Sequence, residues 1–204
     1  MLYSIDDKVI AKIKKAKRGS VFFVDDFVAF GTAKACNKSL ERLVVKGDLM
    51  RVARGVYTLP RFSKLLGKNL TPTTETIAHA IARRDRAKII PTGVFALNAI
   101  GLSTQVPMNV VYLTDGSARK IVLDGKRSIT FKKTAPRNLA AIGQISAVAI
   151  QALKEIGKDN TTPDELQKIL ELLKKEKLER LEHDIRIAPE WIRNIMKQAL
   201  TLKK

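Results

Sequence analysis

The chain has 204 residues with 38 Lys/Arg against 20 Asp/Glu, a formal net charge of +18 and a hydrophobic fraction of 45%. A chain this basic is expected to meet a polyanion, and its apolar content suffices for cores in one large domain or two small ones. The single Cys36 excludes an internal disulfide, no apolar run nears the 18 residues of a membrane span, and MLYSIDDKVI lacks the regions of a signal peptide, so a cytoplasmic protein with no membrane partner is expected.

In chain order, Ser4 reads as an N-cap with Asp7 at the third helical position, ahead of Ile5, Val9, Ile10, Ile13 and Ala16 on one face. Gly19-Ser20 ends that helix, and Val21–Phe23 is a short strand. Asp25–Phe30 is a short positioning helix and Gly31 the turn after it. Thr32–Lys46 has helical period: Ala33, Cys36, Leu40, Leu43 and Val44 share an apolar face, which makes Cys36 a buried thiol. Lys34, Lys38 and Arg42 form a basic stripe opposite, flanked by Asn37 and Glu41. Such a stripe suits phosphates and the guanine or adenine edges of the major groove, its alternative being a solvated helix face. Two β-prone runs follow, Leu49–Val52 and Val56–Leu59, hinged at Arg54-Gly55 and carrying Arg51 and Arg54. A helix followed by a two-stranded ribbon is the plan of a winged helix-turn-helix, so residues 1–64 are expected to bind double-stranded DNA. Phe22, Phe23, Phe27 and Phe30 are read as its core.

Arg61–Leu70 is basic and aperiodic and reads as a connection. The second domain, residues 71–204, starts at Thr71-Pro72 with a helix burying Ile77, Ala80 and Ile81. His79 on that helix is read as solvated or structural. Arg83, Arg84, Arg86 and Lys88 cluster at its C-terminal end, where the helix dipole favours cations and where phosphate binding is a second possibility. Ile89–Pro91 is a strand stub and Gly93–Leu102 a short helix. Asn109–Thr114, Lys120–Leu123 and Ser128–Lys132, separated by Asp115-Gly116 and Asp124-Gly125, predict an antiparallel meander. Helices are expected over Ile142–Ile156, Pro163–Leu181 with a Thr162/Glu165 capping box, and Pro189–Leu200 with Trp191. The apolar stripe of Leu166, Ile169, Leu170, Leu173 and Leu181 is expected to pack on the sheet. The fold class is therefore α+β: a winged helix-turn-helix, then a mixed domain with a small antiparallel sheet and C-terminal helices.

No P-loop, GxGxxG, HExxH, CxxC or GxSxG occurs, so neither catalytic residues nor a metal or other cofactor is expected. Asp115 and Asp124 are explained as turn residues. A binding protein without enzymatic activity is the first expectation, a nucleic-acid-modifying enzyme the last.

The pattern from Phe27 through Leu40, Leu43, Gly47-Asp48-Leu49, Arg51 and Arg54-Gly55-Val56-Tyr57 to Pro60 resembles the N-terminal winged helix of AbiE-type abortive-infection antitoxins. The order TPTTETIAHAIARRDRAKIIPTG, ALNAIGLST, VYLTDGSARKI, ITFKK is similar to the second domain of antitoxin-like bacterial proteins, and the resemblance spans about residues 5–160. It implies a repressor of its own promoter that counteracts a co-encoded nucleotidyltransferase toxin, with repression in the first domain and neutralisation in the second. A stand-alone regulator or an architectural nucleic-acid-binding protein with no toxin partner is the alternative.

Overall fold

Helix α1 (Ile5–Lys14) begins where its capping residues put it. The Ser4 hydroxyl accepts from the Asp7 N–H, and the Asp7 carboxylate accepts from the Ser4 N–H at 3.0 Å, which closes a capping box on two otherwise orphaned donors. The computed structural model describes residues 4–123 and 127–202. The chain divides into two units, Met1–Ile81 with Val122–Arg127, and Ala82–Ile121 with Ser128–Lys204. The Asp124-Gly125 turn expected from the sequence lies outside the described residues.

In the first unit α1 is followed by strand β1 (Val21–Phe22) and by the short helix expected from Asp25, which spans Val24–Phe30 and winds as a 3-10 helix. The Asp26 carboxylate accepts from the Phe23 N–H at 2.8 Å, and the Phe27 ring packs 5.9 Å from Phe22 and 6.4 Å from Phe30. Helix α2 (Ala33–Val45) starts at Thr32, whose hydroxyl accepts from the Ala35 N–H at 3.3 Å. Just before it, a Cβ on Gly31 would lie 2.8 Å from Ile5 Cδ1, so the missing side chain lets α1 and this turn approach. Strands β2 (Met50–Ala53) and β3 (Val56–Thr58) form an antiparallel hairpin turning at Arg54-Gly55, with Gly55 at φ +71°, and β1 joins it in the order β1-β3-β2.

Val9, Ile13, Phe22, Phe27, Cys36, Leu40, Leu43, Leu49 and Tyr57 make one core of this unit. Leu40 and Leu43 are fully buried, each contributing about 1.5–3 kcal/mol by leaving water. Ala33, expected on that face, is exposed, because it lies in the first turn of α2, ahead of the part that packs. The aperiodic stretch read as a connection forms a hairpin, β4 (Arg61–Ser63) with β5 (Lys68–Leu70). Its turn is made by the Ser63 hydroxyl accepting from the Leu66 N–H at 3.3 Å and by Gly67 at φ +60°. Helix α3 (Thr74–Arg84) buries Ile77, Ala80 and Ile81 as its spacing predicts, and the division between the units falls within it.

The second unit holds β6 (Ile89–Pro91), α4 (Gly93–Ala99), β7 (Asn109–Thr114), all of β8 (Arg119–Val122) but its last residue, and β9 (Ser128–Lys133). The sheet order is β6-β7-β9-β8, and β7 pairs with β9 in parallel. This corrects the meander: β8 lies beyond β9 at the edge, so the β7-to-β9 connection is a crossover, a topology that turn dipeptides do not specify. Phe95, Tyr112 and Phe131 stack through this sheet with ring centroids 5.7 and 6.1 Å apart.

Four helices complete the unit: α5 (Gln144–Ile156), α6 (Pro163–Leu173), α7 (Leu178–Ile187) and α8 (Glu190–Thr201). The α+β class is as expected, and α6 carries the Thr162/Glu165 capping box. The single helix expected over Pro163–Leu181 is two. Glu176, between them, is 5% exposed and turns its carboxylate onto the N-terminus of α5, accepting from the Ile145 N–H at 2.8 Å. Asp184 on α7, fully buried, accepts from the Ile142 and Gly143 N–H groups, both at 2.9 Å, and from the Ser146 hydroxyl. A continuous helix could not deliver both acids to that point. Ile169, Leu170, Leu173 and Leu181 then pack with α5 and α8 residues such as Leu153, Ile192 and Met196, rather than on the sheet as expected. Among the described residues no helix is long and apolar enough to cross a membrane.

Removing the Asp184 carboxylate strands the Ile142 and Gly143 N–H groups and leaves the Ser146 hydroxyl only its longer bond to the Gly143 carbonyl at 3.4 Å. Asp184→Ala is expected to cost about 3 kcal/mol or more, since each hydrogen bond to a charged group contributes about 1.5–3 kcal/mol. Urea unfolding monitored on the helical signal measures it, and a loss below about 1 kcal/mol would show that the capping is dispensable.

Candidate nucleic-acid interface

The sequence places Lys34, Lys38 and Arg42 one turn apart on α2, and all three are exposed on the side opposite Cys36, Leu40 and Leu43. Cys36 is fully buried, its thiol 3.1 Å from the Phe27 carbonyl, as expected of a structural cysteine. Among the described residues Lys34 and Lys38 have no acidic partner, so their ammonium groups are available to an incoming phosphate.

Arg42 differs. Its Nε donates to Asp6 Oδ2 at 2.9 Å and its terminal nitrogen to Oδ1 at 2.6 Å, a two-pronged bond from α2 back to the first turn of α1. The Arg42 hydrogen bond, and next Ser39, hold the Asp6 carboxyl down to about 2 against the cost of its partial burial. The base-reading role expected for Arg42 therefore starts from a paired guanidinium.

Asn37 is also positioned. Its amide nitrogen donates to Glu41 Oε1 at 2.9 Å and its oxygen accepts from the Tyr57 hydroxyl at 3.3 Å, which ties the helix flank to β3. Burial pushes the Tyr57 hydroxyl above its ordinary range, so it remains a donor. Arg51 faces Tyr57 across the β2–β3 pair, Arg54 sits in the hairpin turn, and both are exposed. A shallow groove of about 420 Å³ on α2 is lined by Lys38, Glu41, Arg42, Val45 and Lys46, with Val45 88% exposed among the charges. The first unit thus carries Lys34, Asn37, Lys38 and Arg42 on α2 and Arg51 and Arg54 on the hairpin, with Asn37 bonded to Tyr57, the strand partner of Arg51.

The second cluster lies at the end of α3, in the second unit. Arg83, Arg84, Arg86 and Lys88 are all exposed, but Asp85 takes Arg84 Nε at 2.8 Å and also pairs with Arg119. Arg86 occupies the left-handed conformation at φ +53° that ends the helix, and the Lys88 N–H donates to Asp115. This region is in part an internally neutralised helix terminus, leaving Arg83, Arg86 and Lys88 as its outward cations. His79 lies 4.0 Å from Glu75, one turn earlier on the same helix, and no group of three or more His, Cys, Asp or Glu that could hold a metal occurs among the described residues.

Sequence reasoning did not find Asp6 as the partner of Arg42, nor Tyr57 as the residue orienting Asn37. Asp6 carried a visible signal as an acid in a helix first turn, where the dipole alone explains it. The Tyr57 contact depends on strand pairing and had none.

The chain belongs to the family described as a family of unknown function (DUF6088), whose model matches residues 8–181. No curated protein matches it. Among solved structures the RV2827C protein from Mycobacterium tuberculosis is similar at 11% identity and a TM-score of 0.49, over 98% of this chain and 80% of that one.

The Asp6–Arg42 pair has a defined acid response. Because the folded carboxyl titrates below its ordinary 3.8, its stabilisation is complete above that value and is lost as pH falls through about 2. Carbon-detected titration of Asp6 in the wild type and in Arg42→Gln checks this: the midpoint is expected to rise toward 3.8 in the variant, and an unchanged midpoint would separate Arg42 from the shift.

Proposed function

We propose that this member of the DUF6088 family is a DNA-binding repressor of its own promoter and the antitoxin of a toxin–antitoxin operon, acting in the cytoplasm against a co-encoded nucleotidyltransferase. The observation that carries the DNA-binding part is the α2 surface: two unpaired lysines one turn apart, beside a hairpin whose turn presents Arg54. The order α1, 3-10 turn, α2, hairpin is that of a winged helix-turn-helix, in which the last helix enters the major groove and the ribbon follows the backbone or the minor groove. Lys34 and Lys38 supply phosphate neutralisation and counterion release. Asn37, fixed by Tyr57 and Glu41, keeps the geometry for an adenine edge, and exposed Val45 offers an apolar contact for a thymine methyl. Arg42 reaches the DNA by exchanging Asp6 for a phosphate or a guanine, a swap of one charged acceptor for another at the surface.

The antitoxin part rests on the resemblance of Phe27–Pro60, and of the segments that follow to about residue 160, to the AbiE-type antitoxins, with neutralisation assigned to the second unit. Binding rather than catalysis is the proposed mode of action, supported by outward cations at both basic surfaces whose neighbouring acids Asp6, Glu41 and Asp85 are engaged by Arg42, Asn37 and Arg84.

Lys34→Ala and Lys38→Ala are each expected to weaken binding to all duplexes and to lower the slope of log K against log salt by about 1, while Asn37→Ala relaxes preference at one base position. Mobility shifts on the upstream region against a scrambled duplex, over a salt series, read both effects; equal affinity for the two duplexes would make the protein architectural. Co-expression with the adjacent open reading frame tests the other half. Growth rescue is expected to survive Lys34→Ala/Lys38→Ala, and rescue lost in that variant would tie neutralisation to the DNA-binding face.

A further inference from the structure

Away from the α2 face, the second unit holds a cleft of about 400 Å³, within the size range of small-molecule sites. One wall is a stripe of α5, Ala147, Ile150, Gln151 and Lys154, whose spacing of three and four residues puts them on one helix face. Arg137 comes from the 3-10 turn Pro136–Leu139, and Glu190 and Arg193 come from successive turns of α8. The floor is apolar, with Ile90, Ala147 and Ile150 all buried.

The charges in this cleft are unbalanced. Three cations line it against one carboxylate, Glu190, which pairs with none of them among the described residues. Arg193 donates through one terminal nitrogen to the Arg186 and Ala188 carbonyls, both at 3.2 Å, and this fixes the guanidinium while its buried Nε has no acceptor among the described residues. Gln151 is 6% exposed, and its amide has no hydrogen-bond partner among the described residues. A buried donor without an acceptor costs about 1–3 kcal/mol, so the Arg193 Nε in this pre-formed cleft is left to be completed from outside. Partial burial, and then the charge of Arg137, push the Lys154 ammonium below its ordinary range, as expected of a cation that lacks a counterion.

We propose that this cleft is a binding site for a small phosphomonoester, its phosphate held by Arg137, Lys154 and Arg193 and its organic part lying on Ile90, Ala147 and Ile150. Two guanidinium groups and an ammonium lining one cleft suit a phosphoryl group, to which arginine can donate in pairs. The volume exceeds that of inorganic phosphate, and the apolar floor gives the excess a purpose. The site is independent of the DNA-binding reading, so either can fail without the other. A nucleic-acid backbone offers the same phosphate chemistry, and the experiment separates the two sources.

The test uses the full-length chain at constant ionic strength set with chloride, with inorganic phosphate and phenyl phosphate as probes. Calorimetry is expected to show one site, tighter for phenyl phosphate than for inorganic phosphate, with a dissociation constant on the order of 1 mM or below. Arg137→Gln and Lys154→Met, both at exposed positions, should each weaken it about tenfold, the loss of one charge-assisted hydrogen bond. In the wild type, amide resonances of Gln151, Lys154 and Arg193 should shift on addition, a readout that needs no variant to fold. Absence of saturable binding, wild-type affinity in both variants, or shifts confined to other residues would each overturn the proposal. Displacement of phenyl phosphate by a short duplex, with the same dependence on Lys154, would overturn the small-molecule source and assign the cleft to a nucleic-acid backbone.

Discussion

Two buried carboxylates at the start of α5 hold the second unit in its arrangement. Gly143, the residue before α5, has no capping side chain, so the first N–H groups of that helix would be orphaned. Glu176, some thirty positions later, accepts from the Ile145 N–H instead, and Asp184, some forty positions later, accepts from the Ile142 and Gly143 N–H groups that lead into the helix. Burying an ionised carboxylate costs several kcal/mol unless its lone pairs are satisfied, and here N–H donors and the positive end of the helix dipole offset that cost. Gly143 belongs to the same constraint: a Cβ there would sit 2.6 Å from Glu176 Oε2 and 2.3 Å from Ser146 Oγ. Because the acids sit in the α6–α7 link and on α7, satisfying them breaks the helix after Leu173, docks α7 and fixes the α5 face that carries Gln151 and Lys154.

The first unit is tied by a different kind of contact. Its core is apolar, but the exposed end of α2 is held to α1 by Asp6 and Arg42, with a 54% exposed guanidinium. A surface pair of this kind contributes little to stability, since water competes for both partners. Its larger effect is on geometry and charge. One of the three stripe cations is partly neutralised, and the unpaired positive charge concentrates on Lys34 and Lys38, toward the N-terminal half of α2. Recognition helices contact base edges mainly through that half.

What the sequence disclosed divides along the range of the interactions. Caps at Ser4/Asp7 and Thr162/Glu165, the apolar periods of α2 and α3, and the buried Cys36 all involve residues within a turn or two of each other, and a linear reading reached them. The parallel pairing of β7 with β9 was not reached, because alternating β-branched runs look alike in a meander and in a crossover. Arg61–Leu70 escaped because a three-residue strand has no period to detect. At the candidate interface the exposed positions of Lys34, Lys38, Arg51 and Arg54 were legible from helix and hairpin geometry. The pairing of Arg42 with Asp6, 36 residues away, and the placement of Arg137, Lys154 and Arg193 in one cleft required the tertiary fold.

The net charge of +18 has a structural reading once the acids are followed to their partners. Asp7, Asp26, Asp115, Glu165, Glu176 and Asp184 accept from backbone N–H groups, and Asp6 and Asp85 pair with arginines. Acids placed in caps and internal links do little to neutralise lysines elsewhere on the surface. The outward field is therefore more basic at places like the α2 face than an even mixing of 38 cations with 20 anions would make it. At physiological salt, charges interact over about 8 Å, longer than the roughly 6 Å between neighbouring turns of a helix, so Lys34 and Lys38 act on a polyanion together. A phosphate backbone carrying a charge every few ångströms matches that spacing, whereas an isolated small anion at the open surface would meet the two lysines in competition with bulk salt. A small anion is held better in a recess whose walls carry several cations, and in this chain Arg137, Lys154 and Arg193 line such a cleft in the second unit, whereas the groove on α2 is shallower.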